Sequence, residues 1–422
     1  MLKQTVDVLV IGAGPSGCVA ASYLNKNNIS VKVVERSKFP RFVIGESLIP
    51  RVMDHFDEAG LLEHLTDKDF EKKFGARFIR GEEVCEFDFS EKFGKGWDWT
   101  WQIPRADFDH TLAQGAVKNG VDIEFETEVL DVVFNGSNSV TTVRDKEGNT
   151  REIHAKFIID SSGYGRVLPR ILKLDAPSSI PENSSIFTHV TDSRRPEGRE
   201  GVQITFDILE IKIWLWVIPF SNGKTSIGVV GPTELLNAVE GSTTDVLKHF
   251  INRSDFYRDR FQDIDFLFEP HKIENYSCSV TKLCGPGFTL TGNSSEFLDP
   301  VFSSGVCFAT ESGMLSAKLF LKEQAGENVD WEKEYTEYMR YGVNVFATYV
   351  KEWYTGNLQT LFFHKPENID VKEKICAVLA GYVWNKENPF VKKHAHVIQN
   401  MAYMIEMGKT MDESYNNQNP FQ

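Results

Sequence analysis

Cysteine is scarce: Cys18, Cys85, Cys278, Cys284, Cys307 and Cys376 are the only six in 422 residues. Even Cys278 and Cys284 are too far apart for a zinc knuckle or a CxxC redox pair, and so few thiols make no disulfide scaffold. Reduced cysteines in a cytoplasmic protein without a metal site are therefore expected. No run of about 18 apolar residues occurs, so no transmembrane segment is expected. The apolar run Val6 to Ile11 contains Asp7 and passes into glycines rather than a processing site, which reads as a first strand and not a signal peptide. Basic charge is also in deficit. With 46 Lys plus Arg against 60 Asp plus Glu, the net charge is -14, which argues against a nucleic-acid partner needing a basic face. Aromatics, by contrast, are plentiful: 31 Phe, 12 Tyr and 8 Trp supply a large core and exclude global disorder.

Apolar periodicity predicts a strand at 6–11, a helix at 15–27 opened by Pro15, and a second strand at 30–35, a βαβ unit. Short strands predominate from 76 to 160, interrupted by a helix near 106–119. Residues 185–232 and 264–281 are again strand-rich, and Asn222-Gly223 is a hairpin turn. After Gly305 the chain turns helical. There Trp331, Tyr335, Tyr338, Phe346, Tyr349 and Trp353 recur mostly at three- and four-residue steps, the pattern of a helix packing a stripe onto a core, with a substrate-facing wall as the second reading. Residues 411–422 are expected to fray as a polar tail.

Gly12-x-Gly14-x-x-Gly17 falls between the first strand and its helix. Gly12 permits a tight turn, Gly14 lets a pyrophosphate approach the backbone, and Gly17 lets the helix pack on the sheet. The pyrophosphate then sits on helix N-terminal amides, and Glu35, ending the second strand, is placed to accept from a ribose. That constellation calls for FAD or NAD. Three later segments favour FAD: Phe157-Ile-Ile-Asp160-Ser-Ser-Gly163, Gly287-Phe-Thr-Leu-Thr-Gly292-Asn293, and Asp299-Pro300 running into Ser303-Ser304-Gly305. On these segments the chain resembles flavoproteins of the aromatic hydroxylase fold, and within that fold it most resembles flavin-dependent halogenases, from residue 6 to about 360.

The resemblance implies an α/β (α+β) architecture. A discontinuous Rossmann-like FAD-binding domain would take 1–75, 105–165 and 282–325, a mixed β-sheet substrate domain 76–104 and 166–281, and a helical C-terminal region 326–422. It implies Gly12, Gly14, Gly17, Glu35, Arg36, Arg41, Gly45, Arg105, Asp160, Gly292, Asn293, Pro300, Ser304 and Gly305 as cofactor-binding residues. The family usually has Asp where this chain has Asn293; the amide keeps an acceptor and loses the charge.

Trp214-Leu-Trp216-Val-Ile218-Pro219 matches the halogenase pattern WxWxIP. In a strand these two tryptophans share a face, and the resemblance gives them the role of a barrier keeping substrate off the flavin. A rival copy, Trp99-Thr-Trp101-Gln-Ile103-Pro104, runs directly into Arg105. The barrier role goes to 214–219, because that copy is followed by Asn222-Gly223 and the strand Thr225-Ser-Ile-Gly228-Val. Lys73 lies in the charge run DKDFEKK and alone reads as a solvated lysine. Within Phe70-Glu-Lys-Lys73-Phe-Gly75-Ala76-Arg-Phe78, however, it falls in register with the essential lysine of halogenases, whereas Lys72 does not. The turn at Ser304 and Gly305 is a candidate halide site, although the same turn would bind flavin in any hydroxylase. Tryptophan halogenases resemble one another in having Glu where this chain has Phe302, so free tryptophan is not expected as the substrate.

The resemblance thus implies a two-component halogenase using FAD reduced by a separate NAD(P)H-dependent flavin reductase, with O2, halide and an electron-rich, phenolic ring, free or carrier-bound. Arg194, Arg195 and Arg199 make a local basic loop, either solvated or facing an acidic carrier. The alternatives are an FAD-dependent monooxygenase or dehydrogenase without halogenation, and a non-catalytic flavin-binding module.

Overall fold

The computed structural model describes residues 3–364 and 369–418. In chain order, the elements that position the site are β1 (Lys3–Ile11), α1 (Pro15–Lys26), β2 (Val31–Val34), β3 (Glu71–Lys73), β4 (Gly75–Arg80), β5 (Glu83–Asp88), β6 (Thr100–Gln102), α2 (Arg105–Lys118), β7 (Asp122–Glu124), β8 (Glu128–Asn135), β9 (Asn138–Arg144), β10 (Thr150–Asp160), β11 (Asn183–Thr191), β12 (Thr205–Glu210), β13 (Ile213–Pro219), β14 (Lys224–Pro232), β15 (His271–Glu274), β16 (Cys284–Gly285), β17 (Phe288–Leu290), α3 (Gly305–Gln324), α4 (Tyr338–Thr355) and α5 (His394–Gln418).

Val8 to Ile11 are buried, as a central strand covered on both faces requires. β1 pairs in parallel with β2 on one side and β10 on the other, and the first sheet runs β16-β17-β10-β1-β2-β7, with β8 and β9 folded back onto β10. Register then does the assembling. Ile11 lies opposite both Val34 and Asp160, and Asp160 opposite Leu290. The glycine turn, Glu35, Ser161 and Gly292 therefore emerge together at the carboxyl edge of the strands, where open α/β sheets bind ligands.

A second sheet of seven strands runs β15-β11-β14-β13-β12-β4-β5. Its inner face contributes Trp214, Trp216 and Ile218 to the main core. Its outer face contributes Ile213, Leu215 and Val217 to a separate cluster with Val246, Leu247 and Phe250. Both faces being covered explains why all seven residues of β13 are buried.

Two sequence expectations change. Residues 100–102, expected in the substrate sheet, pair instead with β3 as a two-stranded ribbon. The segment expected to fray from 411 is helical through Gln418 as the end of α5, and 419–422 lie outside the described residues. Among the described residues no helix is long and apolar enough to cross a membrane.

Candidate active site

The glycine turn is a cradle that side chains would destroy. Gly12 has φ +103°, and a Cβ at Gly17 would fall 1.9 Å from the Gly12 carbonyl oxygen. α1 opens with Pro15 and has no side-chain cap, so its first amides remain for a ligand. Glu35 clamps the turn: Oε2 accepts from the Ala13 amide at 3.0 Å and Oε1 from the Ser37 amide at 2.9 Å, leaving each oxygen a further lone pair for a ribose hydroxyl. Beside the turn, buried Asp109 pins two guanidinium groups, taking Arg105 bidentately at 2.8 and 3.0 Å and Arg41 at 3.1 Å. Arg105 also donates to the carbonyls of Ile44 and Gly45. This glycine-lined, cationic and uncapped edge fits a dinucleotide.

The other expected cofactor residues divide. Asp160 is turned inward, accepting from the amides of Ser162 at 2.9 Å and Leu168 at 2.7 Å, and burial raises its carboxyl above the usual range; its visible work is to cap the local backbone. Arg36 is exposed. The Asn293 carbonyl accepts from Arg166 at 3.2 Å, while no hydrogen bond engages its side chain among the described residues. Gly292 and Asn293 form a one-turn helix, and Pro300 opens another, Pro300–Phe302. Ser303 follows in the left-handed region at φ +56°. Ser304 then precedes Gly305 and α3, whose N-terminus also lacks a side-chain cap.

Lys73 is 3 % exposed, whereas Lys72 is exposed and lies over the Trp99 ring. β3 ends at Lys73, opposite Thr100. The ammonium donates to Ser47 Oγ at 2.9 Å and to the Leu48 carbonyl at 2.8 Å and stands 5.5 Å from the centre of the Phe89 ring. With no carboxylate to hold its charge, burial pulls its pKa down to about 7. On the preceding residue, Glu46 (2 % exposed) pairs with His189 at 2.7 Å. Its second oxygen is buried without a partner among the described residues.

Trp214 and Trp216 stand 6.3 Å apart between ring centroids, inclined at 49°. Trp216 donates to Ser226 Oγ at 3.0 Å in the neighbouring strand, and Trp214 to the Tyr354 hydroxyl at 3.2 Å. Phe206, Phe78 and Trp353 continue the aromatic wall, and Trp353 meets Phe302 edge-on at 5.8 Å. The rival tryptophan copy belongs elsewhere: Trp99 and Trp101 meet edge-on on the ribbon that backs Lys73. The stripe after residue 330 is mainly core, with Tyr335, Phe346 and Tyr349 fully buried, yet its last turn reaches the site through Trp353 and Tyr354.

Sequence reasoning passed over Ser47, Glu46, His189, Asp109 and Tyr354 as site residues. Asp109 was findable as the i+4 partner of Arg105 on a helix; the others meet their partners only through tertiary packing. The basic loop is largely occupied internally. Arg195 donates to the Phe220 and Lys224 carbonyls, Arg199 to Asp88 and Arg194 to the Asp259 carbonyl.

Residues 5–191 match a family model described as an FAD binding domain. A crystal structure of a flavoprotein/dehydrogenase from Cytophaga hutchinsonii superposes with a TM-score of 0.94; the two chains are 51% identical, covering 96% of this chain and 100% of that one. A brominase of 1H-pyrrole-2-carbonyl carried on a peptidyl-carrier protein, from Pseudoalteromonas luteoviolacea, is 26% identical over 91% of this chain and 94% of its own length. A tryptophan 2-halogenase from Chondromyces crocatus is 30% identical, covering 77% of this chain and 63% of its own length.

Proposed function

Because this chain belongs to the flavin-dependent halogenase family and is an FAD-dependent oxidoreductase, we propose that it halogenates an electron-rich, phenolic ring, with Lys73 delivering the halogen. FAD, reduced by a separate reductase, supplies the oxygen chemistry that oxidises halide to hypohalous acid. The glycine turn and the uncapped α1 bind its pyrophosphate, with Arg41 and Arg105 held nearby by Asp109. The uncapped start of α3, at Ser304 and Gly305, offers amides to the halide. Trp214 and Trp216 wall the substrate off, so that oxidant and not flavin reaches it.

The observation that carries this reading is the burial of Lys73 without a counter-charge. A pKa near 7 gives a substantial neutral fraction at physiological pH. The neutral amine can take halogen from hypohalous acid: the N–halogen bond forms, the O–halogen bond breaks, and water leaves with the amine proton. The protonated form can instead orient hypohalous acid by hydrogen bonding. In either case the ring attacks the halogen and then loses its own proton. Phe302 keeps that end of the pocket apolar, which suits a phenol or a carrier-bound aromatic better than the amino acid tryptophan.

The test compares wild type with Lys73→Ala, using a flavin reductase, NADH, bromide and a phenol panel. Halogenated product should fall by about 100-fold or more while NADH-driven flavin reoxidation persists; equal yields would remove Lys73 from the mechanism. The dehydrogenase description of the Cytophaga hutchinsonii flavoprotein favours a second reading, oxidation without halogen. Product mass separates the two, since a halide-independent gain of one oxygen, or loss of two hydrogens, sinks halogenation.

A further inference from the structure

The two indoles of the tryptophan pair are held by different means. Trp216 is anchored within its own sheet, on Ser226. Trp214 is anchored from outside it. Its Nε1–H donates to Tyr354 Oη at 3.2 Å, and the Tyr354 hydroxyl donates to Asp299 Oδ2 at 3.0 Å. The same oxygen accepts from the Tyr276 hydroxyl at 3.0 Å and the Asn183 amide at 3.2 Å, while Oδ1 accepts from the Val301 amide at 3.0 Å. Every side chain in this chain of bonds is buried. Tyr354 belongs to the last turn of α4, and Asp299 begins the turn that passes through Ser303 into α3. A single tyrosine hydroxyl thus bridges the tryptophan strand and the loop leading to the candidate halide site.

We propose that Tyr354 and Asp299 are positioning residues that fix the Trp214 ring relative to the turn at Ser303–Gly305, and so keep the barrier closed while the halide is oxidised. The proposal deepens the halogenase reading and rests on it for the meaning of the barrier; the geometry of the anchor stands apart from it. Inside a dry core a hydrogen bond between fixed rings sets orientation as well as energy. Phenylalanine at 354 keeps the volume and removes only the bridging oxygen, leaving the Trp214 N–H without an acceptor.

The test uses the full chain loaded with oxidised FAD and labelled with 15N at its indoles. Eight tryptophans give eight N–H resonances, and Trp214→Phe assigns the one of interest. In Tyr354→Phe the Trp214 resonance should move or broaden while the other seven hold. Tyr341→Phe is the control: it removes a hydroxyl from the same helix, one bonded to the Val391 carbonyl. It should leave all eight resonances in place. In turnover, brominated product per NADH consumed should fall about fivefold in Tyr354→Phe, the scale set by one hydrogen bond. Hydrogen peroxide or oxygenated product should take up the difference, with flavin reoxidation unchanged. A Trp214 resonance that stays put in Tyr354→Phe overturns the proposal, and so does a moved resonance with undiminished coupling. If the wild type brominates nothing, the halogenase reading falls, and the resonance alone decides the anchor.

Discussion

Lys73 shows how much chemistry one side chain can hold when its surroundings withhold a partner. Its pKa of about 7 lies far below the value near 10.5 expected for an unfolded chain, so protonation works against the native state. Below pH 7 both states are protonated and the native state bears the full cost of a buried charge. Between about 7 and 10.5 the unfolded chain binds the extra proton, so this group's contribution to stability improves as pH rises. The cost at pH 7 is on the order of 5 kcal/mol. Lys73→Met should therefore raise the denaturation midpoint at pH 6–7, with a gain that shrinks towards pH 10 in matched urea titrations. A gain independent of pH would show that the lysine is not neutral in the fold. Sequence pattern distinguished Lys73 from Lys72 by register with Gly75-Ala76, but not its burial. Ser47 and Leu48, which receive its hydrogen bonds, are about 25 residues away along the chain, and no local periodicity encodes such a meeting.

At the scale of elements, legibility followed the range of the interactions. The glycine turn, its strand and its helix are built from neighbours, and strand, turn and helix all fall where the residues place them. The two WxWxIP copies show the limit, since their composition is nearly the same and only strand pairing separates them. One lies on the seven-stranded sheet facing the core, the other on a two-stranded ribbon behind Lys73. Pairing also explains Gly228, which lies opposite Trp216. A Cβ there would stand 2.4 Å from the Trp216 ring and 2.7 Å from Phe187 Cβ. The indole lies flat over a strand cleared for it. Gly228→Ala should cost about 1–3 kcal/mol through overpacking, read as a lowered urea midpoint at constant m. It should also reduce brominated product per NADH, because the displaced ring is part of the barrier. Unchanged stability would mean the sheet has slack at this point, contrary to the packing described.

For the whole molecule, the length alone suggested two or three domains, yet the chain crosses between its sheets repeatedly. β1 and β2 lie in the first, β4 and β5 in the second, β7 to β10 in the first, β11 to β15 in the second, and β16 and β17 in the first again. Interleaving of this kind leaves no segment that could fold and leave the rest intact. One hydrophobic cluster joins Val8 of the first sheet, Trp214 of the second, Trp353 of α4 and Ile398 of α5. The cofactor edge, Lys73 and the tryptophan pair all draw their positions from this shared core. Unfolding should therefore be a single event: indole fluorescence and far-UV circular dichroism should trace coincident melting curves. FAD binds the native state, so a free concentration of 100 times its dissociation constant should stabilise the fold by about 2.7 kcal/mol. For a chain of this size that raises Tm by roughly 3–5 °C. Because the tryptophans are spread over both sheets, the ribbon and the C-terminal helices, the shift should be equal by both probes. Two resolved transitions, with only one moved by FAD, would instead mean that the substrate sheet folds independently of the cofactor, and that the barrier and the lysine are not fixed by the frame that binds flavin.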